Sequence, residues 1–161
     1  MDKIVFITGA SSGIGAGCAR KFASQGASLI LNARNVNKLS ALKEELEKQY
    51  GAKIYLLPFD VRDRKAATSA LESLPKEWQS IDILVNNAGL VIGTDKEQEG
   101  SLDEWDIVID TNIKALLAMT RLIVPGMVER KRGHIINIGS IAGDAAYPGG
   151  SVYCATKAAV K

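Results

Sequence analysis

Short apolar runs alternate with amphipathic stretches along the whole chain, and that alternation leaves few folds open. Ile4-Val5-Phe6-Ile7-Thr8 is apolar without a helical period, and it is bounded by Gly-rich punctuation. Runs of this length and composition read as strands, whereas apolar residues recurring every three or four positions read as helices. On these criteria strands are predicted over 4–8, 28–33, 53–59, 81–86 and 133–139. Helices are predicted over 14–25, 37–50, 63–74 and 101–129, with a last one beginning near Ser151. Leu39, Leu42 and Leu46 share one face of the second helix, and Gly26 and Gly51 stand just past the ends of the first two. Asp103 and Glu104 supply acid to the first turn of the long region 101–129, and Pro125-Gly126 near its end is expected to bend it. Strands that are apolar throughout must be buried on both faces. Separated by helices, they predict an α/β fold with a doubly wound parallel sheet. There is no repeat, low-complexity segment or linker, so 1–161 reads as a single layered domain.

Composition narrows the partners. A net charge of +2, with basic residues spread along the chain, gives no support for a nucleic-acid or membrane-surface partner. The densest basic run, Arg130-Lys131-Arg132, falls where a helix should end and reads as a solvated last turn. No stretch is long and apolar enough to span a bilayer, and the segment 3–7 lacks a signal-peptide layout. Cys18 and Cys154 are far apart and lack metal-ligand spacing, which predicts reduced thiols, a cytoplasmic location and no metal site. His134, the one histidine, reads as a residue at a strand entrance. Trp78, Trp105 and Cys154 read as packing residues.

The turn Thr8-Gly9-Ala10-Ser11-Ser12-Gly13-Ile14-Gly15 joins the first strand to the first helix. Glycines there permit a tight turn and close backbone approach to a phosphate, while the helix N-terminus offers amide donors and partial positive charge. The Gly-Lys-Ser/Thr ending of a P-loop is absent, so a dinucleotide is the expected ligand, held by Gly9, Ser11, Ser12, Gly13, Ile14 and Gly15. In such folds an acid after the second strand selects NAD through the ribose 2′-hydroxyl. Here Arg34, followed by Asn35, takes that place. A guanidinium suits a 2′-phosphate, so NADP is expected over NAD; the competing reading is a surface arginine opening a loop.

Tyr153 and Lys157 lie four residues apart, which places a phenol and an ammonium on one helical face. Reduction of a carbonyl by hydride leaves charge on oxygen that must be protonated as it forms. A neighbouring ammonium favours the phenolate and brings tyrosine into use as an acid or base. Ser140 falls at the carboxyl end of the fifth strand, where open α/β sheets bind ligands, and its hydroxyl could donate to the substrate oxygen.

The Thr-Gly-x-x-x-Gly-x-Gly spacing, Asn86-Asn87-Ala88-Gly89, and the set Asn112, Ser140, Tyr153 and Lys157 together resemble the short-chain dehydrogenase/reductase family over all 161 residues. The resemblance implies a Rossmann-type sheet with strand order 3-2-1-4-5. It also implies that Asp60 and Val61 hold the adenine, that Asn87, Ala88 and Gly89 line the cofactor cleft, and that Tyr153 and Lys157 contact the cofactor. By the same resemblance Lys157 reaches the nicotinamide ribose and Asn112 holds a water linking Lys157 to solvent. The segments 73–78, 81–90, 125–130 and 133–140, with Pro148-Gly149-Gly150, resemble the NADP-dependent 3-hydroxy acid dehydrogenases. They imply a small-molecule substrate such as serine or allo-threonine, oxidised at the 3-hydroxyl. Carbonyl reduction of another substrate class, or a dinucleotide-binding module without catalysis, remain the other readings. Relatives continue past the Tyr-Lys helix into further strands and a substrate-covering loop, and they form homotetramers or homodimers through the long helices. The expectation is therefore a chain lacking its C-terminal strands, with an open sheet edge.

Overall fold

A computed structural model describes residues 2–161; Met1, where the expected domain begins, lies outside them. The elements run β1 (Ile4–Ile7), α1 (Gly13–Ser24), β2 (Ser28–Leu31), α2 (Val36–Tyr50), β3 (Ile54–Leu56), α3 (Arg64–Glu72), β4 (Ile83–Asn86), α4 (Leu102–Ile109), α5 (Leu116–Glu129), β5 (His134–Asn137) and α6 (Ser151–Val160). The five strands pair in parallel in the order β3-β2-β1-β4-β5, as expected. The register sets Phe6 beside Ile30 and Leu84 and, one residue on, Ile7 beside Leu31 and Val85. Because side chains alternate across a strand, the two rows feed separate cores. Val5, Ile7, Leu29, Leu31, Leu39 and Leu46 pack on one face of the sheet. Phe6, Ile30, Leu84, Met119 and Ile123 pack on the other.

Local chemistry starts and stops the helices. The Asn35 side chain accepts from Lys38 N to open α2, and Gly51 ends it in the left-handed conformation at φ 61°. Asp63 and Ser101 cap α3 and α4 by the same Asx- and Ser-type bonds to Ala66 N and Glu104 N. The strands are shorter than the apolar runs that signalled them. Leu57 and Phe59 lie beyond β3 but are still buried, turning from pairing to packing in the second core.

Three findings depart from the sequence reading. The region 101–129 is helical throughout but not uniformly α: Asp110–Ala115 is a π-helical turn between α4 and α5, while Pro125 is accommodated within α5. The run 130–132 ends α5 with Lys131 and Arg132 exposed, as expected, but it is not only a solvated turn. Arg130 Nη2 donates to Ile81 O at 2.6 Å, and Arg132 Nε donates to Asp82 Oδ1 at 2.8 Å. Asp82 is buried and also accepts from Ile4 N, so the end of α5 is braced against the starts of β1 and β4. Finally, β5 is not buried on both faces. It is the last strand in the order, and His134, Ile135 and Asn137 are exposed. An open edge was expected on that side.

Candidate active site

The carboxyl ends of the strands open onto a cleft of about 930 Å³ that runs from Arg34 and Asp60 to Tyr153 and Lys157. Its floor is the turn after β1. Gly9 and Gly13 adopt φ of 62° and 53°, a conformation costly for any residue with a Cβ. At Gly15 the constraint is distance: a Cβ there would lie 2.3 Å from Gly9 O and 2.4 Å from Asn87 Nδ2. Gly15 is therefore buried behind the loop, while Gly9, Ser11, Ser12, Gly13 and Ile14 line the cleft. The Ser12 side chain makes no capping bond, so the first-turn amides of α1 have no acceptor from it.

The turn after β4 clamps this loop. Thr8 Oγ1 accepts from Asn87 N at 3.1 Å and Ala88 N at 2.9 Å, and Asn87 Nδ2 donates to Thr8 O and Gly9 O, each at 3.0 Å. Asn87, Ala88 and Gly89 all line the cleft. Thr8 gave no signal of this role in sequence beyond its place before the first glycine.

At the far end, Arg34 and Asn35 reach the cleft, and so do Lys38 and Arg62, which the sequence reading passed over. Lys38 lies in the first turn of α2, just past Arg34 and the capping Asn35. Asp60 and Val61 line the same end. Asp60 accepts from Arg62 Nη2 at 2.7 Å and from Arg62 N at 2.9 Å. Arg62, helped by its backbone amide and by the charge of Arg34, holds the Asp60 carboxyl below the usual carboxylate range against the opposing effect of burial. Buried Asn32 donates through Nδ2 to Leu57 O and Phe59 O at 3.0 and 3.1 Å, fixing the exit of β2 against that of β3.

At the near end, α6 presents Tyr153 and Lys157 to the cleft. Lys157 is buried, its Nζ lies 5.9 Å from the centroid of the Tyr153 ring, and it donates to Ile138 O at 3.0 Å. Asn112 sits in the π-helical turn and does not line the cleft. Its Oδ1 accepts from Leu90 N and its Nδ2 donates to Leu90 O, both at 2.9 Å, and to Thr156 Oγ1 at 3.1 Å. Gly89 lets the β4 turn come close to both groups: a Cβ there would lie 3.3 Å from Asn112 Oδ1 and 3.5 Å from Lys157 Nζ. Ser140 also stands outside the cleft lining. Its Oγ accepts from Ala142 N at 3.1 Å and opens a single 3₁₀ turn, Ile141–Gly143, that packs on α6. Because the oxygen is the acceptor, the hydroxyl proton remains available to donate. A small hollow of about 20 Å³ adjoins Tyr153 between Glu104, Trp105 and Gly149.

His134 opens β5, at the opposite end of the sheet from the cleft. Trp78 stacks obliquely on Tyr55, with ring centroids 5.6 Å apart, and Trp105 packs over Gly100. Among the described residues no cluster of His, Cys, Asp or Glu could hold a metal ion, and no helix is long and apolar enough to cross a membrane.

Known proteins share this fold. The chain is 50% identical over 158 residues to the NADP-dependent 3-hydroxy acid dehydrogenase YdfG of Escherichia coli O6:H1, covering 98% of this chain and 62% of that protein. It is 43% identical over 162 residues to sulfoacetaldehyde reductase 2 of Chromohalobacter salexigens, covering 100% of this chain and 64% of that one. The fold superposes with a TM-score of 0.90 and 49% identity on the closed form of a serine dehydrogenase complexed with NADP+, covering 98% of this chain and 62% of that structure. The chain thus spans less than two thirds of the length of each. The pattern of the short chain dehydrogenases matches residues 3–161. That match spans nearly the whole chain, so the chain belongs to the short chain dehydrogenase family.

Proposed function

We propose that the protein is an NADP(H)-dependent oxidoreductase that interconverts a secondary alcohol and its ketone, acting on a 3-hydroxy acid such as serine or allo-threonine. The observation that carries this reading is that one cleft joins the glycine turn and Arg34 at one end to the Tyr153–Lys157 pair at the other. The residues fit the cofactor. Gly13 leaves open space where a diphosphate would lie, Gly9 and Gly15 let the turn close against Asn87 and Ala88, and Arg34 with Lys38 supplies positive charge where a 2′-phosphate would lie. Gly9, Ser11, Ser12, Gly13, Ile14 and Gly15 form the phosphate turn. Arg34 and Asn35 flank the ribose, Asp60 and Val61 the adenine, and Asn87, Ala88, Gly89, Tyr153 and Lys157 the remainder.

When bound, the nicotinamide supplies or takes up the hydride. Tyr153 exchanges a proton with the substrate oxygen. The Lys157 ammonium, held by Ile138 O, stabilises negative charge on the phenolic oxygen and reaches the ribose. Ser140 donates its free hydroxyl proton to the substrate oxygen and orients it. Asn112 anchors the turn after β4 and the water that connects Lys157 to solvent. Residues 1–161 act as a single cofactor-binding domain, and the intact protein is cytoplasmic and assembles as a homotetramer or homodimer through the α4–α5 face. The similarity to a sulfoacetaldehyde reductase favours a second reading, reduction of a different small carbonyl by the same residues.

An activity screen of the intact protein with NADP+ against serine, allo-threonine and simple 3-hydroxy acids tests this. Turnover with those substrates is expected, and Tyr153→Phe is expected to lower it by about three orders of magnitude or more while NADPH still binds. Undiminished turnover by that variant would refute the assignment.

A further inference from the structure

The sequence reading linked Asn112 to the Tyr153–Lys157 pair only by a water, yet Asn112 and Tyr153 are joined through a residue outside the set. Thr156 is buried between α6 and the π-helical turn. Its Oγ1 accepts from Asn112 Nδ2 at 3.1 Å and donates to Tyr153 O at 2.7 Å, which spends its single donor. Both Nδ2 protons of Asn112 are then used, one on Leu90 O and one on Thr156. The bond to Asn112 spans 44 residues of sequence and ties the second turn of α6 to the π-helical turn, which in turn holds Leu90 after β4. Tyr153 precedes Thr156 by three positions and Lys157 follows it directly, so this bond is placed to set where both side chains enter the cleft.

We propose that Thr156 is a positioning residue whose hydroxyl, rather than its methyl group, holds the Tyr153–Lys157 pair in register with Asn112. The inference rests on the proposed reading of Tyr153 as the acid/base. Losing the hydroxyl leaves Asn112 with a buried unpaired donor, and the α6 turn is free to shift. A displacement of about 1 Å at a reacting group can cost on the order of a hundredfold in rate.

The test uses Thr156→Val, which keeps the shape and removes the hydroxyl, and Thr156→Ser, which does the reverse. With the intact enzyme, T156V is expected to lower kcat about ten- to a hundredfold with little change in KM for the cofactor. It should also displace the limb of the pH–rate profile that Tyr153→Phe abolishes. T156S is expected to restore both kcat and the profile. If Thr156 only fills space, the order reverses: T156V keeps the wild-type profile and T156S is the impaired variant, and that result would overturn the proposal. Should T156V fail to fold, T156S and T156A differ only in the hydroxyl and are read the same way, with equal profiles counting against it. Y153F separates the two ideas. If it retains turnover the reading of the site is wrong; if it is inactive while T156V is unaffected, only the role of Thr156 falls.

Discussion

Arg34 stands exposed on the cleft rim just before α2, and its charge is felt at Asp60. A hydrogen bond to a charged group contributes roughly 1.5–3 kcal/mol, so Arg34→Ala should raise KM for NADP+ by about ten- to a hundredfold. KM for NAD+ should change little, because the proposed contact is to the extra phosphate. Steady-state kinetics with both cofactors decide it; an equal loss for each would assign Arg34 to structure. Asp60 makes a prediction about acid. Arg62 holds its carboxyl low in the folded protein, whereas in the unfolded chain it returns to about 3.9. The pair therefore contributes stability that is fully present above about pH 4 and is lost as pH falls through the lower folded value. The Tm difference between wild type and Asp60→Asn should be steady near neutral pH and shrink below about pH 4. A difference that does not change with pH would show that the pairing contributes nothing. Arg34 was legible because its function follows from residue type and place. Lys38 and Arg62 were not singled out, since a cation on a helix or loop has no signature until the chain folds over it.

At the scale of the element, α1 shows a local preference overridden by packing. Alanine is favoured over glycine inside a helix by about 1 kcal/mol, yet a Cβ at Gly15 would meet the backbone of Gly9 at 2.3 Å. Gly15→Ala should accordingly destabilise the protein by about 1–3 kcal/mol and weaken NADPH binding. Denaturant unfolding and a cofactor-fluorescence titration measure the two, and a stabilised variant with unchanged affinity would contradict the close approach. The glycine spacing was readable in the sequence, but its reason was not: Gly15 meets Asn87, some seventy residues away, as well as the loop itself. The π-helical turn had even less signal. Apolar periodicity continues through 101–129, and the widened turn at Asp110–Ala115 accompanies bonds from Asn112 to Leu90 and Thr156, partners that no local pattern contains.

At the scale of the whole molecule, the sheet divides the apolar interior. Leu46 is buried in one core and Met119 in the other, with β-strands between them. Truncating either to alanine should cost about 2–5 kcal/mol, and the double variant should equal the sum within about 0.5 kcal/mol because the sites share no partner. Denaturant unfolding of the two single variants and the double variant checks this; strong coupling would mean the cores are not separate. Sequence alone determined the order of strands and helices, the doubly wound α/β class, the glycine turn, and the Tyr153–Lys157 face. Each of these depends on residue type at short spacing, which acts before the chain has collapsed. Only the tertiary structure decided which apolar residues joined which core, that Arg130 and Arg132 brace the base of the sheet, and that Thr156 links Asn112 to α6. Those features are bonds and contacts between residues tens of positions apart. Their partners exist for one another only once the parallel register has brought the strand ends together.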